Sequence, residues 1–142
     1  MFRSTAGWNP DNLAIECGER SWTYGELLDL IDRLASVLRW AKVVAGDCIA
    51  ILAENHAEYT MLQFAGARIG VIASCLNSRL VAEELQHCIN LVEPQLIFAL
   101  SRFQSLLGQV AYSAAKQILM ESCLALAASA EPDRQPALRN SE

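Results

Sequence analysis

Basic charge is scarce in this chain. Eleven Lys and Arg stand against sixteen Asp and Glu, for a net charge of −5. A nucleic-acid binder needs a basic face to meet phosphates, so that class is excluded. Trp8, Trp22 and Trp40 are also too scattered to form a base-stacking platform. Glycine is thin, seven in all, and no glycine-rich loop follows any apolar segment. Dinucleotide and Walker-type phosphate sites need such a loop, because backbone N–H groups must approach the phosphate closely. His56 and His87 are the only histidines, and the five cysteines (Cys17, Cys48, Cys75, Cys88 and Cys123) form no Cys-x-x-Cys pair. That spacing excludes the familiar metal clusters. His87 adjoins Cys88, but neighbours on a helix point about 100° apart, so they do not make a nucleophile–base pair. The cysteines read as small hydrophobes in a reducing compartment, with Cys48 and Cys75 in buried strands.

Long apolar runs are missing too. The closest, from Ser105 to Ala130, is interrupted by Lys116 and Glu121, so no transmembrane segment is expected. The first ten residues lack the apolar stretch of a secretory signal. The expectation is a cytoplasmic chain.

What is present is a core. Hydrophobic residues make up 53% and charged residues 19% of 142 residues, enough for one packed domain. The densest signal is Asp47-Cys48-Ile49-Ala50-Ile51-Leu52-Ala53-Glu54-Asn55, a short apolar run between turn residues, which reads as a strand buried on both faces. Before it, Leu13–Cys17 and Arg20–Thr23 flank a Gly18 turn as a hairpin. Thr23-Tyr24-Gly25-Glu26 is a capping box. The helix it opens places Leu27, Leu30, Ile31, Leu34, Val37, Leu38 and Ala41 on one face. After the central strand, Asn55 is a candidate N-cap for a helix with Tyr59, Leu62, Ala65, Gly66 and Ile69 on its stripe. Val71–Leu76 is a second buried strand, 82–91 a third helix broken at Glu93-Pro94, and Gln95–Ala99 a third strand. The fold class is therefore α/β: a parallel βαβαβ core with right-handed crossovers and flanking helices, an N-terminal hairpin, and a long C-terminal helix from Ser101 to about Ala130. The divisions are an arm at 1–12, a core at 13–103, a helical extension at 104–130 and a loose tail at 131–142.

Ligands in open α/β sheets bind beyond the carboxyl ends of the strands. Asn55 and Asn77 end two strands, and Arg79 follows closely, so these three residues are candidates for the edge of a substrate groove. The alternative is that Asn55 caps a helix, Asn77 turns the chain and Arg79 is a solvated surface group. Glu54 and Glu58 could pair as acids, though both fit the start of a helix.

Several segments resemble, in order, the N-terminal portion of the adenylate-forming (AMP-binding) acyl-CoA synthetases, most closely the fatty-acyl and aryl-CoA ligase branch. Trp22-Thr23-Tyr24-Gly25-Glu26-Leu27, Gly46-Asp47-Cys48-Ile49-Ala50-Ile51 and Asn55-His56-Ala57-Glu58 are similar to motifs of that family. So are Ala65–Val71, Leu76-Asn77-Ser78-Arg79-Leu80 and Glu83-Glu84-Leu85, and the likeness runs over about residues 10–103. Two departures stand out. Ala41-Lys42 lies where the family usually has Gly, and Ser74-Cys75 where a Pro commonly precedes the Leu-Asn pair.

The resemblance implies a partial domain of the adenylate-forming fold and a reaction of fatty or aromatic acid metabolism. A carboxylic acid joins ATP, with Mg, to give an acyl-adenylate, and CoA then displaces AMP. The family's Ser/Thr/Gly-rich phosphate loop, its aromatic-Thr-Glu segment, its ribose-binding Asp and its C-terminal Lys have no counterpart here. The chain thus resembles the opening part of an enzyme several times longer, with no catalytic, cofactor-binding or metal residue of its own. Two other readings stay open: a non-catalytic module that pairs with another chain, including a homo-oligomer through an exposed sheet edge or apolar surface, and a small α/β ligand binder.

Overall fold

The computed structural model describes residues 9–112 and 116–135. Strands β1 (Leu13–Cys17) and β2 (Arg20–Thr23) form the expected antiparallel hairpin, turning at Gly18 with φ +63°. Helix α1 (Tyr24–Trp40) starts at the capping box. The Glu26 N–H donates to Thr23 Oγ1 at 3.2 Å, and the Thr23 N–H donates to Glu26 Oε2 at 2.8 Å. Two orphan donors of the first turn are satisfied reciprocally in this way. The apolar face of α1 buries Leu27, Ile31, Leu34, Ala35, Val37 and Leu38.

The second sheet has four parallel strands in the order β4-β3-β5-β6. They are β3 (Cys48–Leu52), β4 (Ile72–Leu76), β5 (Leu96–Ala99) and β6 (Lys116–Leu119). Helix α2 (Ala57–Arg68) joins β3 to β4, and α3 (Ala82–Val92) joins β4 to β5. The first crossover moves one way along the sheet and the second moves back past β3. Right-handed connections then place α2 and α3 on opposite faces. Helix α1 packs on α2, and α3 lies against β3 and β4. The central strand is fully enclosed as a result: Ile49, Ala50, Ile51 and Leu52 are each 0% exposed. Gly66 on α2 permits the close approach to the sheet, since a Cβ there would lie 3.3 Å from the Val71 carbonyl oxygen.

Three expectations are corrected. The long C-terminal helix does not form. In its place stand a 3-10 turn at Ser101–Phe103, α4 (Gln104–Leu107), strand β6, a second 3-10 turn at Met120–Ser122, and α5 (Cys123–Ser129). Helical spacing in Phe103, Leu106, Leu107 and Val110 is real but runs out at Gly108. Residues 116–119 then pair with β5, whose second edge needs hydrogen-bond partners, and that pairing overrides local propensity. Next, β4 is an edge strand rather than a buried one: Ile72 is 60% exposed, and Cys75 is exposed instead of core-packed. An apolar run has the same periodicity in a central strand and at an edge. Finally, residues 131–135 are not loose. The Asp133 N–H donates to the Asp32 carbonyl at 2.9 Å, and its buried carboxylate pairs with Arg39 at 3.0 Å. Arg68 donates to the Gln135 carbonyl at 2.8 Å. The rest of the expected tail, 136–142, and the start of the arm, 1–8, lie outside the described residues.

Helix α1 ends with Lys42 in the left-handed region at φ +64°. The Lys42 N–H donates to the Arg39 carbonyl and the Val43 N–H to the Leu38 carbonyl, the paired bonds of a Schellman motif. Buried Val43 and Leu38 supply its apolar contact. A lysine in this conformation carries a Cβ penalty of about 1–2 kcal/mol, which a glycine would relieve at a smaller entropic cost in the unfolded chain. Lys42→Gly is therefore expected to stabilise the fold by roughly 0.5–1 kcal/mol, read as a higher urea midpoint at unchanged m-value. A lower midpoint would show that Lys42 is not strained.

Candidate functional site

The carboxyl ends of the parallel strands gather the polar residues. Glu54, Asn55 and His56 follow β3, Asn77 and Arg79 follow β4, Ser101 and Arg102 follow β5, and Glu121 follows β6. The crossovers part between β3 and β5, and this divergence opens the crevice where ligands enter open α/β sheets. Asn55 is exposed there but does not cap α2. His56 holds the N-cap position, without a side-chain cap bond, because the chain needs Ala53 to Asn55 to turn back after β3. Asn77 turns the chain: its Oδ1 accepts the Arg79 N–H at 2.9 Å. Arg79 is exposed. The three candidates share one edge of the sheet, and none is buried.

Residues other than these three candidates make the connections across that edge. Arg102 pairs with Glu54, linking the loops after β5 and β3. The Ser101 N–H and hydroxyl both donate to Glu121 Oε1, at 2.9 and 2.8 Å. The backbone N–H of Ser101 holds the Glu121 carboxyl below its usual range, and the charge of His56 adds to that. The Leu-Ser-Arg ending of β5 was the available signal. Glu121 could not be found, because it belongs to a strand end that reads as helix.

One buried charge underlies the edge. Glu58, in the first turn of α2, is 5% exposed. Arg20 of the hairpin grips it with both nitrogens, Nη1 to Oε1 at 2.7 Å and Nη2 to Oε2 at 3.3 Å. His56 Nδ1 lies 3.7 Å from Oε2. Burial alone would raise the Glu58 carboxyl, but the Arg20 hydrogen bonds, the backbone and His56 outweigh it and hold the group low. Glu54 and Glu58 are thus not a paired acid: each is committed to a different arginine.

Burial also acts on two of the thiols. Burial pushes the Cys123 thiol up to about 12, reinforced by Glu58 and Glu121, so it stays protonated. Burial likewise raises Cys48. Among the described residues, no three His, Cys, Asp or Glu side chains converge to hold a metal ion. A cavity of about 1040 Å³ lies elsewhere, beside the C-terminal half of α1, lined by Val37, Trp40, Leu126 and Pro132. Four charged residues, Arg39, Glu131, Asp133 and Arg134, also line it, and Arg39 and Asp133 are paired to each other.

The described residues do not fit a nucleoside triphosphate. The turns after the strands read Ala-Glu-Asn-His, Asn-Ser-Arg and Leu-Ser-Arg, with no glycines to bring consecutive N–H groups onto phosphate. The carboxylates of Glu54 and Glu121 would repel it.

Comparison with known proteins agrees on a family. Residues 2–141 match the family described as AMP-binding enzyme. The chain is 36% identical over 98 residues to the indoleacetate–CoA ligase of Aromatoleum aromaticum, covering 69% of this chain and 19% of that protein. It is 38% identical over 84 residues to a feruloyl-CoA synthase of Amycolatopsis, covering 59% and 17%. Among solved structures, a benzoate CoA ligase from Burkholderia xenovorans superposes with a TM-score of 0.88 at 19% identity, over 98% of this chain and 29% of that one. The N-terminal domain of FACL13 from Mycobacterium tuberculosis gives 0.86 at 22% identity, over 99% and 38%. These two structures share the fold, and the chain spans about a fifth of the sequence relatives it matches.

The Arg20–Glu58 pair generates a test with a pH signature. Glu58 is held low in the fold, so its stabilisation is full above the ordinary glutamate range and is lost as pH falls through the folded value. Arg20→Ala leaves the buried carboxylate without its main partner and is expected to cost about 2–3 kcal/mol at pH 7. In urea titrations the deficit should shrink towards pH 4, where the orphaned carboxyl takes up a proton. A deficit independent of pH would mean that Arg20 acts through packing on Trp22, 5.2 Å away, instead.

Proposed function

The chain belongs to the AMP-binding enzyme family, and from that membership we propose that it is the N-terminal scaffold of an AMP-forming carboxylate–CoA ligase, unable to activate an acid by itself. One contrast carries the reading. The family match spans residues 2–141, yet the carboxyl edge of the sheet has no backbone cradle for phosphate. The chain's own contribution is structural. The enclosed β3 strand sets the position of Glu54, Asn55 and His56, and β4 sets that of Asn77 and Arg79. In the complete protein, Asn55, Asn77 and Arg79 would border one side of the acid-binding groove, while the phosphate loop, the Mg-ATP contacts and the CoA site come from sequence beyond this scaffold.

The substrate class of the complete protein is a carboxylic acid. Aromatic acids are the first to try, because the relatives are named for indoleacetate and ferulate. Fatty acids follow as the other branch of the resemblance. The expected compartment is the cytoplasm; no described helix is long and apolar enough to cross a membrane.

Two measurements separate identity from inactivity. The purified chain should give no ATP–pyrophosphate exchange above background with indoleacetate, ferulate, benzoate or long-chain fatty acids; clear turnover with any of them would overturn the proposed inactivity. Replacing the corresponding N-terminal region of the indoleacetate–CoA ligase with residues 10–103 should give a chimera that still forms indoleacetyl-CoA. A folded chimera that binds neither ATP nor acid would count against the scaffold role.

A further inference from the structure

Residues 130–135 are attached to the domain without an apolar anchor. Asp133 is the one buried residue of the six; Ala130 and Pro132 are half-buried, and Glu131, Arg134 and Gln135 are exposed. Helix α5, just before them, is held differently, with Cys123 and Ala127 each 0% exposed in the core. Burial of apolar surface ties most segments to a domain, and it is nearly absent here.

Hydrogen bonds and charge take its place, with partners from α1 and α2. The Asp133 N–H donates to the Asp32 carbonyl of α1 at 2.9 Å. Arg33 of α1 donates through Nη1 to the Ala130 carbonyl. Arg39 Nε, also of α1, donates to Asp133 Oδ2 at 3.0 Å. Arg68 of α2 is buried, and its Nη2 donates to the Asp133 carbonyl and, at 2.8 Å, to the Gln135 carbonyl. Three arginines thus converge on six residues. The Gln135 N–H donates back to Asp133 Oδ1 at 3.0 Å and closes the turn.

The dependence is reciprocal. Arg68 Nε is buried without a hydrogen-bond partner, 3.3 Å from Asp32 Oδ1 and 3.7 Å from Asp133 Oδ2. The hydrogen bonds of its guanidinium run to the two backbone carbonyls of the segment. Lifting the segment strips that buried cation of both, and strips Asp133 of its arginines. Buried charges left half-paired are costly, so intermediate positions are disfavoured and the segment is either seated or released.

We propose that residues 130–135 form a charge-latched strap, with Asp133 as the latch and Arg39 and Arg68 as its catches, which opens as a unit of its own while the sheet and α5 stay folded. Pro132 and Asp133 line the cavity beside α1, so opening removes part of its wall. A local opening of this kind has a smaller free energy than global unfolding and exposes less surface.

Native-state hydrogen exchange of the full chain, followed against urea and corrected for intrinsic rates, tests this. In the wild type the Asp133 amide should exchange faster than the amides of β3, with a shallower urea dependence. Asp133→Asn keeps the shape of the side chain and removes its charge, and it should speed exchange at position 133 by roughly tenfold or more. Arg68→Met keeps the apolar stem and removes the guanidinium, and it should act in the same direction. In both variants β3 should stay the slowest-exchanging element, and far-UV circular dichroism should match the wild type. A wild-type Asp133 amide that exchanges in step with β3, at the same urea slope, would overturn the proposal, because the segment would then be released only by global unfolding. Exchange at position 133 left unchanged by Asp133→Asn would overturn it too, as would an Asp133→Asn chain that loses the protection of β3 together with that of the strap.

Discussion

The requirement that β3 be covered on every side governs this structure. Four consecutive residues, Ile49 to Leu52, are 0% exposed. Each apolar side chain of that size is worth about 1.5–3 kcal/mol when fully withdrawn from water, with alanine contributing less. A strand whose side chains alternate between two apolar faces cannot rest against a single layer. It needs helices above and below and strands on both edges. Helix α2 with α1 behind it covers one face, α3 covers the other, and β4 and β5 flank the edges. The right-handed rule then leaves little freedom in how the chain runs between them.

Covering β3 with α2 brings two charges inside, Glu58 at one end of the helix and Arg68 at the other. Each is neutralised from a distant part of the sequence. Arg20 comes from the hairpin, and Asp32 and Asp133 come from α1 and the C-terminal segment, with Arg68 Nε 3.3 Å from Asp32 Oδ1. Buried pairs of this kind add little net stability over an apolar replacement, but removing one partner is costly. Here they pin the hairpin to one end of α2 and residues 131–135 to the other. Stretches that look peripheral in sequence are fastened to the core for this reason.

The carboxyl edge of the sheet is held together by links among its own polar side chains. Its carboxylates each have a partner: Glu54 pairs with Arg102, Glu121 accepts from Ser101, and Glu58 pairs with Arg20. These links set loop positions. A phosphate-binding site needs the reverse arrangement, donors left open and aimed at a vacant volume, and the turns after β3, β4 and β5 lack the glycines that would provide it.

The local elements were legible from sequence because short-range physics decides them. The hairpin turn at Gly18, the reciprocal cap between Thr23 and Glu26, the one-sided face of α1 and the double-sided apolar run of β3 each depend on residues close together in the chain. So did the βαβαβ order and the likeness to acyl-CoA synthetases. Tertiary structure alone decided the rest. Whether Val71–Leu76 lies at the centre or edge of the sheet depends on strand order, which no local period encodes. Residues 116–119 became a strand because β5 had an unpaired edge, although their neighbours read as helix. Asn55 yielded the N-cap position to His56 because the turn after β3 needed three residues. The partner of Glu58 lies 38 residues away, and Asp133, one partner of Arg68, lies 65 residues away. Local sequence announces that a charge is present; only the assembled fold determines whether that charge is buried and what neutralises it.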